Sequence, residues 1–443
     1  MSVSQFFFQT FDYATFLRSI NLQLLETDIT SWVLRYTCGD CLMYNNQIIY
    51  TNIPLIAYEL FKEFFFTKPC YFFEFIIKSG NLLSYPLSKV ISQMSGINTC
   101  FSPLNSFTYN QDLGMLTDFS VALNSLIRQN CNQINKICIY YDQQFVNLPM
   151  ANLINLQKNL YDITISNITP YFNNNVHFFN WKLPISNAII NNANTITRFC
   201  IIDCHFPLEN LSLFVNLEHL RLENFGNYTQ KFTSLSSISF HHLKTFYFSS
   251  RQASTNLSIF SKFIENCGEN LEEFSFKSDC LEDPNNSSLL FKSFAMKCPK
   301  LRTFEGPISH SSIDELTLFL NSCYFINSLF LFPALSNHNS LLIEDNYFDV
   351  YGYEDNYDSE HDFDGLLLSL LHTMPLNLTK LKLGNGWFIS ATTLYEFLEF
   401  RLNVMKGKSI KLDHEINVKV IGGEFDEIYK NYCERCGEIY NSY

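Results

Sequence analysis

One short apolar phrase recurs along this chain and constrains its fold more than any other feature. The phrase has the form apolar-x-x-apolar-x-apolar, and its clearest copy is NLEHLRLEN at residues 216–224. The copies begin at Ile134, Leu160, Ile196, Leu217, Leu243, Leu271, Leu301, Ile326 and Leu378. All but one of the intervals between them span 21 to 36 residues, a period typical of chains that stack one structural unit many times.

Each copy predicts a strand, and each interval predicts a loop and a helix. The second and third apolar residues of a copy lie two positions apart, so their side chains share one face of a strand. Between copies, apolar residues recur at the spacing of one helix face, as in Ile259–Cys267 and in Leu316–Cys323, which follows a predicted capping box at Ser312 and Glu315. Such units predict an α/β solenoid, a horseshoe with parallel strands inside and helices outside.

A cysteine precedes the strand phrase by three or four residues in several units. The four examples are Cys131, Cys267, Cys298 and Cys323. Cysteine is small and apolar enough for a tight position at the end of a helix. Because these residues recur at one position of the repeat and do not converge, we interpret them as core residues. A metal or redox site is the alternative.

The charge balance and the hydropathy argue against two classes of partner. Thirty Lys and Arg residues against forty-three Asp and Glu give a net charge of −13, whereas binding to a phosphate backbone needs clustered basic residues. The chain has no stretch of about 18 apolar residues that could span a bilayer, and its N-terminus lacks the features of a secretory signal. We expect no nucleic-acid partner, no membrane partner and a cytoplasmic location, with the nucleus as the alternative.

Taken together, the repeats resemble the leucine-rich-repeat proteins that accompany F-boxes, in the form found in large fungal expansions. The resemblance rests on the pattern C-P-x-L-x-x-L-x-L, on QNCNQINKICIYYDQQ at 129–144 with LINLQKNLYDITISN at 153–167, and on the strand NLTKLKLGNGW at 377–387. It covers most of residues 65–400. It implies the substrate-recognition subunit of an SCF-type ubiquitin ligase, whose solenoid holds a protein target for ubiquitin-dependent degradation.

The same resemblance implies a Skp1-type adaptor as a partner, docked on the helices of an F-box. An F-box starts with L-P-x-E and finishes with a C-R-x-W type motif, and neither occurs in residues 1–60. The segment FDYATFLRSI at 11–20 resembles the linker that follows an F-box. Adaptor binding therefore needs an F-box upstream of Met1. A freestanding leucine-rich-repeat scaffold with no ubiquitin-ligase link is the alternative function.

The chain divides into three predicted parts. Residues 1–64 form a helical entry segment that caps the solenoid, residues 65–405 form the leucine-rich-repeat solenoid, and residues 406–443 form a C-terminal tail. Inside the solenoid, residues 344–364 contain nine acidic residues, four Tyr and two Phe, but no Lys or Arg. This acidic insert favours a solvated loop, and a docking peptide for a basic partner is the alternative. Weaker copies of the strand phrase occur at 70–77 and 96–102.

The sequence contains no recognisable pattern of catalytic or cofactor-binding residues. A Gly-rich phosphate loop, a G-x-S-x-G elbow and an H-E-x-x-H motif are all absent, so we expect neither enzyme activity nor a cofactor. Two Cys-x-x-Cys pairs, Cys38–Cys41 and Cys433–Cys436, have the spacing of zinc ligands. They lie at opposite ends of the predicted solenoid, so we predict no metal site.

The predicted binding surface is the concave face of the horseshoe. Strand residues that alternate with the buried apolar ones point away from the core. Aromatic and Arg side chains in such positions are the anchors that dominate protein interfaces. The predicted protein-binding residues are His219, Arg221, Glu223, Tyr247, Lys277, Glu305, Phe330, Phe332 and Lys382. The alternative is that loops or the C-terminal segment cover them.

Overall fold

The computed structural model divides the chain into two compact units, residues 1–207 and residues 208–443. The structure describes residues 19–21, 73–78, 103–110, 131–141, 147–167, 183–204, 206–224, 232–250, 255–278, 281–334, 364–375, 377–384, 388–404, 411–414, 419–421 and 425–436.

In the first unit, parallel strands are paired in the order in which they occur along the chain. The strands are β1 (Ser19–Asn21), β2 (Glu74–Lys78), β3 (Ser106–Asn110), β4 (Lys136–Tyr141), β5 (Asp162–Asn167) and β6 (Arg198–Ile202). Helix α1 (Asn147–Leu156) connects β4 to β5, and α2 (Leu183–Asn191) connects β5 to β6. The two helices pack against each other.

The second unit repeats this arrangement. Its parallel strands are β7 (His219–Glu223), β8 (Thr245–Ser250), β9 (Glu273–Ser278), β10 (Thr303–Ile308), β11 (Ser328–Pro333), β12 (Lys380–Leu383) and β14 (Lys411–His414), and a separate parallel pair consists of β13 (Phe388–Ser390) and β15 (Lys419–Ile421). Its helices are α3 (Leu257–Cys267), α4 (Ser287–Lys297), α5 (Ile313–Ser322), α6 (Asp364–Thr373), α7 (Ala391–Val404) and α8 (Phe425–Cys436). The predicted leucine-rich-repeat architecture of an α/β solenoid is confirmed within each unit.

Among the described residues, two successive repeats contain less helix than the phrase spacing predicts. A six-residue 3-10 segment, Leu208–Leu213, lies between β6 and β7, and a five-residue one, Thr233–Ser237, lies between β7 and β8. The strand phrases that follow them are preceded by intervals of 21 and 26 residues. Interval length alone does not explain the difference, since the 25-residue interval between the phrases at Leu301 and Ile326 contains the ten-residue helix α5.

Phenylalanine rings connect neighbouring repeats in the core of the second unit. Phe246, Phe274 and Phe304 occupy equivalent positions on β8, β9 and β10, are fully buried, and stack with centroids 5.7 Å apart in both pairs. The helices add further rings, for example Phe294 of α4, which meets Phe274 edge to face at 4.7 Å. Each repeat therefore buries its apolar residues against its neighbours, as a solenoid requires.

The recurrent cysteines are core residues, as the sequence predicts. Cys131, Cys267, Cys298 and Cys323 are all buried, and burial raises the pKa of the Cys267 and Cys323 thiols to about 12. In the first unit the amide of Gln157 occupies the equivalent position. It accepts a hydrogen bond from the Ile134 N–H and donates to two carbonyl oxygens. Gln157 thereby satisfies backbone groups at the end of α1 and of the preceding repeat.

Several boundaries differ from the sequence-based expectations. Within residues 1–64, predicted to be helical, the described residues Ser19–Asn21 form β1; the rest lie outside the described residues. The strand that pairs with both β2 and β4 is β3, at 106–110, and the weak copy of the strand phrase at 96–102 lies outside the described residues. Residues 406–443, predicted to be a tail, contain β14, β15 and α8, because the repeat pattern continues past residue 405.

Two local predictions are also wrong. Ser312 precedes α5, but its hydroxyl does not cap that helix. The hydroxyl bonds instead to Ser309 at 2.6 Å and to Ser287, and Glu315 pairs with Lys292 at 3.1 Å. Cys433, predicted to lie in an exposed tail, is 3% exposed in α8. Most of the acidic insert and the Cys38–Cys41 pair lie outside the described residues.

Candidate protein-binding face

All nine residues predicted to bind protein lie on one side of the strands of the second unit. We call this side, which faces away from α3, α4 and α5, the strand face. Buried residues alternate with strand-face residues along each strand, for example in the order half-buried, buried, exposed, buried, half-buried along His219–Glu223. The predicted residues are distributed as follows: His219, Arg221 and Glu223 on β7, Tyr247 on β8, Lys277 on β9, Glu305 on β10, Phe330 and Phe332 on β11, and Lys382 on β12.

The register of the parallel strands brings these residues into rows that run across the strands. From β7 to β12 the central row consists of Arg221, Tyr247, Ser275, Glu305, Phe330 and Lys382, each paired with the next, and Asp413 on β14 follows Lys382. Neighbouring strands lie about 4.8 Å apart. The part from β7 to β12 therefore extends over about 24 Å across six strands, a length suited to an extended protein segment.

At the β7 end of the row, an arginine is held between a ring and a carboxylate. The Arg221 guanidinium lies 4.3 Å from the centroid of the Tyr247 ring, and its Nε donates to Glu223 Oε2 at 2.8 Å. Burial, followed by the Glu223 carboxylate, raises the pKa of the Tyr247 hydroxyl above its ordinary value. The phenol is therefore protonated at neutral pH and can donate a hydrogen bond.

In the middle of the row, a carboxylate lies beneath a lysine. Glu305 Oε1 pairs with Lys277 Nζ at 3.1 Å, and Glu305 Oε2 accepts a hydrogen bond from the Ser275 hydroxyl. The Glu305 side chain is only 17% exposed, whereas that of Lys277 is 48% exposed. The two polar partners hold Glu305 against the sheet, and the ammonium group of Lys277 remains at the surface.

Near the β12 end, two lysines approach one phenylalanine ring. Lys382 Nζ lies 4.5 Å and Lys277 Nζ 5.9 Å from the centroid of Phe330, within the range of cation–π attraction. Phe332 meets Phe330 at 5.9 Å with an interplanar angle of 66°. Both rings are half-buried. The strand face thus combines apolar and cationic groups at neighbouring positions.

Two residues that were not predicted from the sequence lie beside these rings. Gly384 follows β12, and a Cβ atom there would lie 2.6 Å from the Cβ atom of Phe332 and 3.4 Å from the ring of Phe330. Pro307 on β10 is paired with Phe332 and is buried. The glycine directly after the phrase LTKLKL is the sequence signal that could have indicated this close approach.

The edge of the face at His219 is polar. His219 Nδ1 lies 2.6 Å from Thr245 Oγ1. The adjacent Glu218 pairs with Lys244 at 2.7 Å, and the hydrogen bond from that lysine holds the pKa of the Glu218 carboxyl below its ordinary value. This edge is a hydrogen-bonded rim beside the aromatic and cationic positions.

The described residues hold neither a metal cluster nor a membrane-spanning helix. No three His, Cys, Asp or Glu side chains come together as metal ligands in the part of the chain that the structure describes. Among the described helices, none is long and apolar enough to cross a membrane. His241 and His242 are exposed in the loop before β8.

Comparison with known proteins finds similarity to solved structures only at the level of the fold. No protein-family model matches the chain, and no curated protein matches it. The crystal structure of the Rad7 and Elc1 complex in yeast matches with 12% sequence identity and a TM-score of 0.42, over 96% of this chain and 99% of the other. Both values are too low to transfer a partner or an activity from that complex to this chain.

Proposed function

We propose that this chain is a protein-binding module and that the strand face of its second unit holds the partner. The proposal is supported chiefly by one observation: the central row places Arg221, Tyr247 and Phe330 in register on one surface. Aromatic and arginine side chains dominate the binding energy of protein interfaces. Packing and ion pairs already restrain these side chains, which reduces the entropy lost on binding.

The proposed role is binding without catalysis, in the cytoplasm or the nucleus. The more specific proposal is that the chain recognises substrates for an SCF-type ubiquitin ligase. The proposal of a role in substrate recognition rests on the sequence resemblance to leucine-rich-repeat proteins that accompany F-boxes. A Skp1-type adaptor is part of this proposal if an F-box lies upstream of Met1. A freestanding scaffold is the competing function.

The binding role is tested by affinity capture with matched variants of the full chain. Proteins captured from the native cell extract by the wild type should be lost with Arg221→Ala and Tyr247→Ala, since truncating an anchor typically costs about 2 kcal/mol or more. Tyr395→Ala removes a tyrosine that is 53% exposed on α7 and should leave capture unchanged. Equal capture by all variants would show that the strand face is not the binding surface.

The ligase role requires a second measurement on the captured partner. If the chain is a substrate receptor, a Skp1-type adaptor and a cullin should co-purify with the protein expressed from its own gene, including any F-box upstream of Met1, and ubiquitin conjugates of the partner should decrease in cells that express Tyr247→Ala. A partner that binds through the strand face, without these proteins and without ubiquitin conjugates, would identify a scaffold.

A further inference from the structure

We propose that the strand face selects an extended partner segment in which acidic residues alternate with aromatic or other apolar ones. This inference rests on the proposed function and specifies the chemistry of its partner. It starts from a contrast in the central part of the face, where Arg221 and Lys277 are more exposed than the carboxylates that pair with them; the exposed Glu273 lies in the row of His219, at the polar edge. Side-chain exposure is 47% for Arg221 and 48% for Lys277, but 21% for Glu223 and 17% for Glu305.

The covered carboxylates are already bound by groups of the chain itself. Glu223 accepts from Arg221, and Glu305 accepts from Ser275 and pairs with Lys277. At these two positions an approaching segment therefore meets a guanidinium or an ammonium group before it meets the paired carboxylate. The chain as a whole carries a net charge of −13. The exposed charges at these two positions are nevertheless positive, so this part of the surface favours an acidic partner over a basic one.

The lysines beside Phe330 are suited to bind a carboxylate in addition to their present contacts. An ammonium group has three N–H donors, and Lys277 and Lys382 are both positioned over the same ring. Their positions reduce the side-chain freedom that would be lost when a carboxylate binds. An aspartate or glutamate side chain can therefore bind at the Phe330 ring's edge, between the two ammonium groups.

The aromatic part of the preference comes from Phe332 and its surroundings. Phe332 packs against Phe330 and lies next to Pro307 and Gly384. An apolar or aromatic side chain next to the acidic one would cover this half-buried surface. Aromatic pairs in offset or edge-to-face geometry contribute beyond the area that they bury.

The strand spacing predicts the spacing of the acidic residues. Arg221 is on β7, and the ring of Phe330, over which both ammonium groups lie, is on β11, four strands and about 19 Å away. An extended segment advances about 3.3 Å per residue. Two acidic residues about six positions apart therefore match Arg221 and the lysine pair when the segment runs across the strands, and the even spacing places both side chains on the same face of the segment.

The test uses a fluorescein-labelled peptide, Gly-Glu-Ser-Phe-Ser-Phe-Ser-Glu-Gly, whose two Glu and two Phe share one face when the peptide is extended, and the full chain. Fluorescence anisotropy should report saturable binding that weakens with added salt. Replacing both Glu with Gln should weaken binding about tenfold or more, equivalent to about 1.4 kcal/mol. A peptide with Lys in place of Glu should not bind measurably. If the Gln peptide binds as tightly as the Glu peptide, or the Lys peptide binds more tightly, the inference is overturned.

Matched protein variants locate the binding site. Lys382→Ala and Lys277→Met should each weaken binding of the Glu peptide severalfold, and Lys382→Arg should retain it because the charge is conserved. Lys262→Ala removes an exposed lysine of α3 and should change nothing. An equal loss with Lys262→Ala would overturn the assignment to the strand face. Thermal melts of each variant separate a loss of binding from a loss of folding.

The acidic insert of this chain is a competing occupant. If deletion of residues 345–363 raises the affinity for the Glu peptide, the strand face binds the chain's own segment, and the inference of a separate acidic partner is overturned. If the Glu peptide fails to bind while face-dependent capture of a protein persists, the peptide chemistry is wrong and the proposed binding function stands.

Discussion

Replacing Phe274 with alanine should destabilise the second unit by about 4 kcal/mol, because its ring connects three repeats. The ring is fully buried on β9. It stacks on Phe246 and on Phe304 at 5.7 Å in each case, and it meets Phe294 of α4 edge to face at 4.7 Å. Its loss removes contacts with the repeats on both sides as well as with the helix above the sheet.

The magnitude follows from burial and from the rigidity of the neighbours. A buried phenylalanine truncated to alanine typically costs about 3–5 kcal/mol, depending on how far the cavity collapses. Here the neighbouring rings are held by other contacts: Phe246 lies 4.8 Å from Phe263, and Phe304 lies 5.1 Å from Phe319. These rings have little freedom to fill the space. We therefore expect a value in the middle or upper part of that range.

Denaturant unfolding followed by circular dichroism measures the effect on the free energy of unfolding. The matched control is Phe325→Ala, since Phe325 follows α5 and is 49% exposed; we expect a change within about 0.5 kcal/mol. If the two substitutions cost the same, or if Phe274→Ala leaves the midpoint unchanged, the assigned strand register and the stacked core of the second unit are wrong.

Three further predictions concern other parts of the fold. Gln157→Leu should cost about 2–3 kcal/mol because it leaves the buried Ile134 N–H unsatisfied; an unchanged denaturation midpoint would contradict this. Leu220→Asp should abolish cooperative melting, since it buries an unpaired charge, and unaltered circular dichroism would refute the register. Stability should fall as pH rises from about 9 toward 12, because the Cys267 thiol has a pKa of about 12 when folded and 9.0 ordinarily, so the unfolded state loses its proton first. The melting temperature of Cys267→Ala should fall less steeply.

The strand phrases predicted the fold because each one encodes a local pattern. Two apolar residues two positions apart determine which face of a strand is buried, and the same pattern in every repeat places equivalent residues in register. Leu243, Phe246 and Phe248 are buried for this reason. The recurrent cysteines were predictable in the same way, since one position of the repeat has one packing environment.

Some local features did not follow from these patterns. Strand β3 forms around Phe107 and Tyr109, which are both buried and which were not predicted from the sequence; the weak copy of the phrase at 96–102 lies outside the described residues. The capping box at Ser312 failed because the hydroxyl bonds to Ser309 and Ser287, and Ser287 lies far away in sequence.

The chemistry of the strand face was only partly predictable. Alternation along each strand indicated that Arg221, Tyr247 and Phe330 point away from the core. It did not indicate that Lys277 would cover Glu305 or that two lysines would share the ring of Phe330. These contacts depend on the side-chain conformations of residues on different strands, so they emerge only in the folded unit.

Site-specific photocrosslinking tests the binding role of the strand face most directly. A photoactivatable benzoylphenylalanine in place of Phe330, in the centre of the face, is compared with the same residue in place of Tyr395 on α7. We predict a covalent adduct with the captured partner from position 330 and little or none from position 395. An adduct from position 395 with none from position 330 would contradict the assignment of the partner to the strand face.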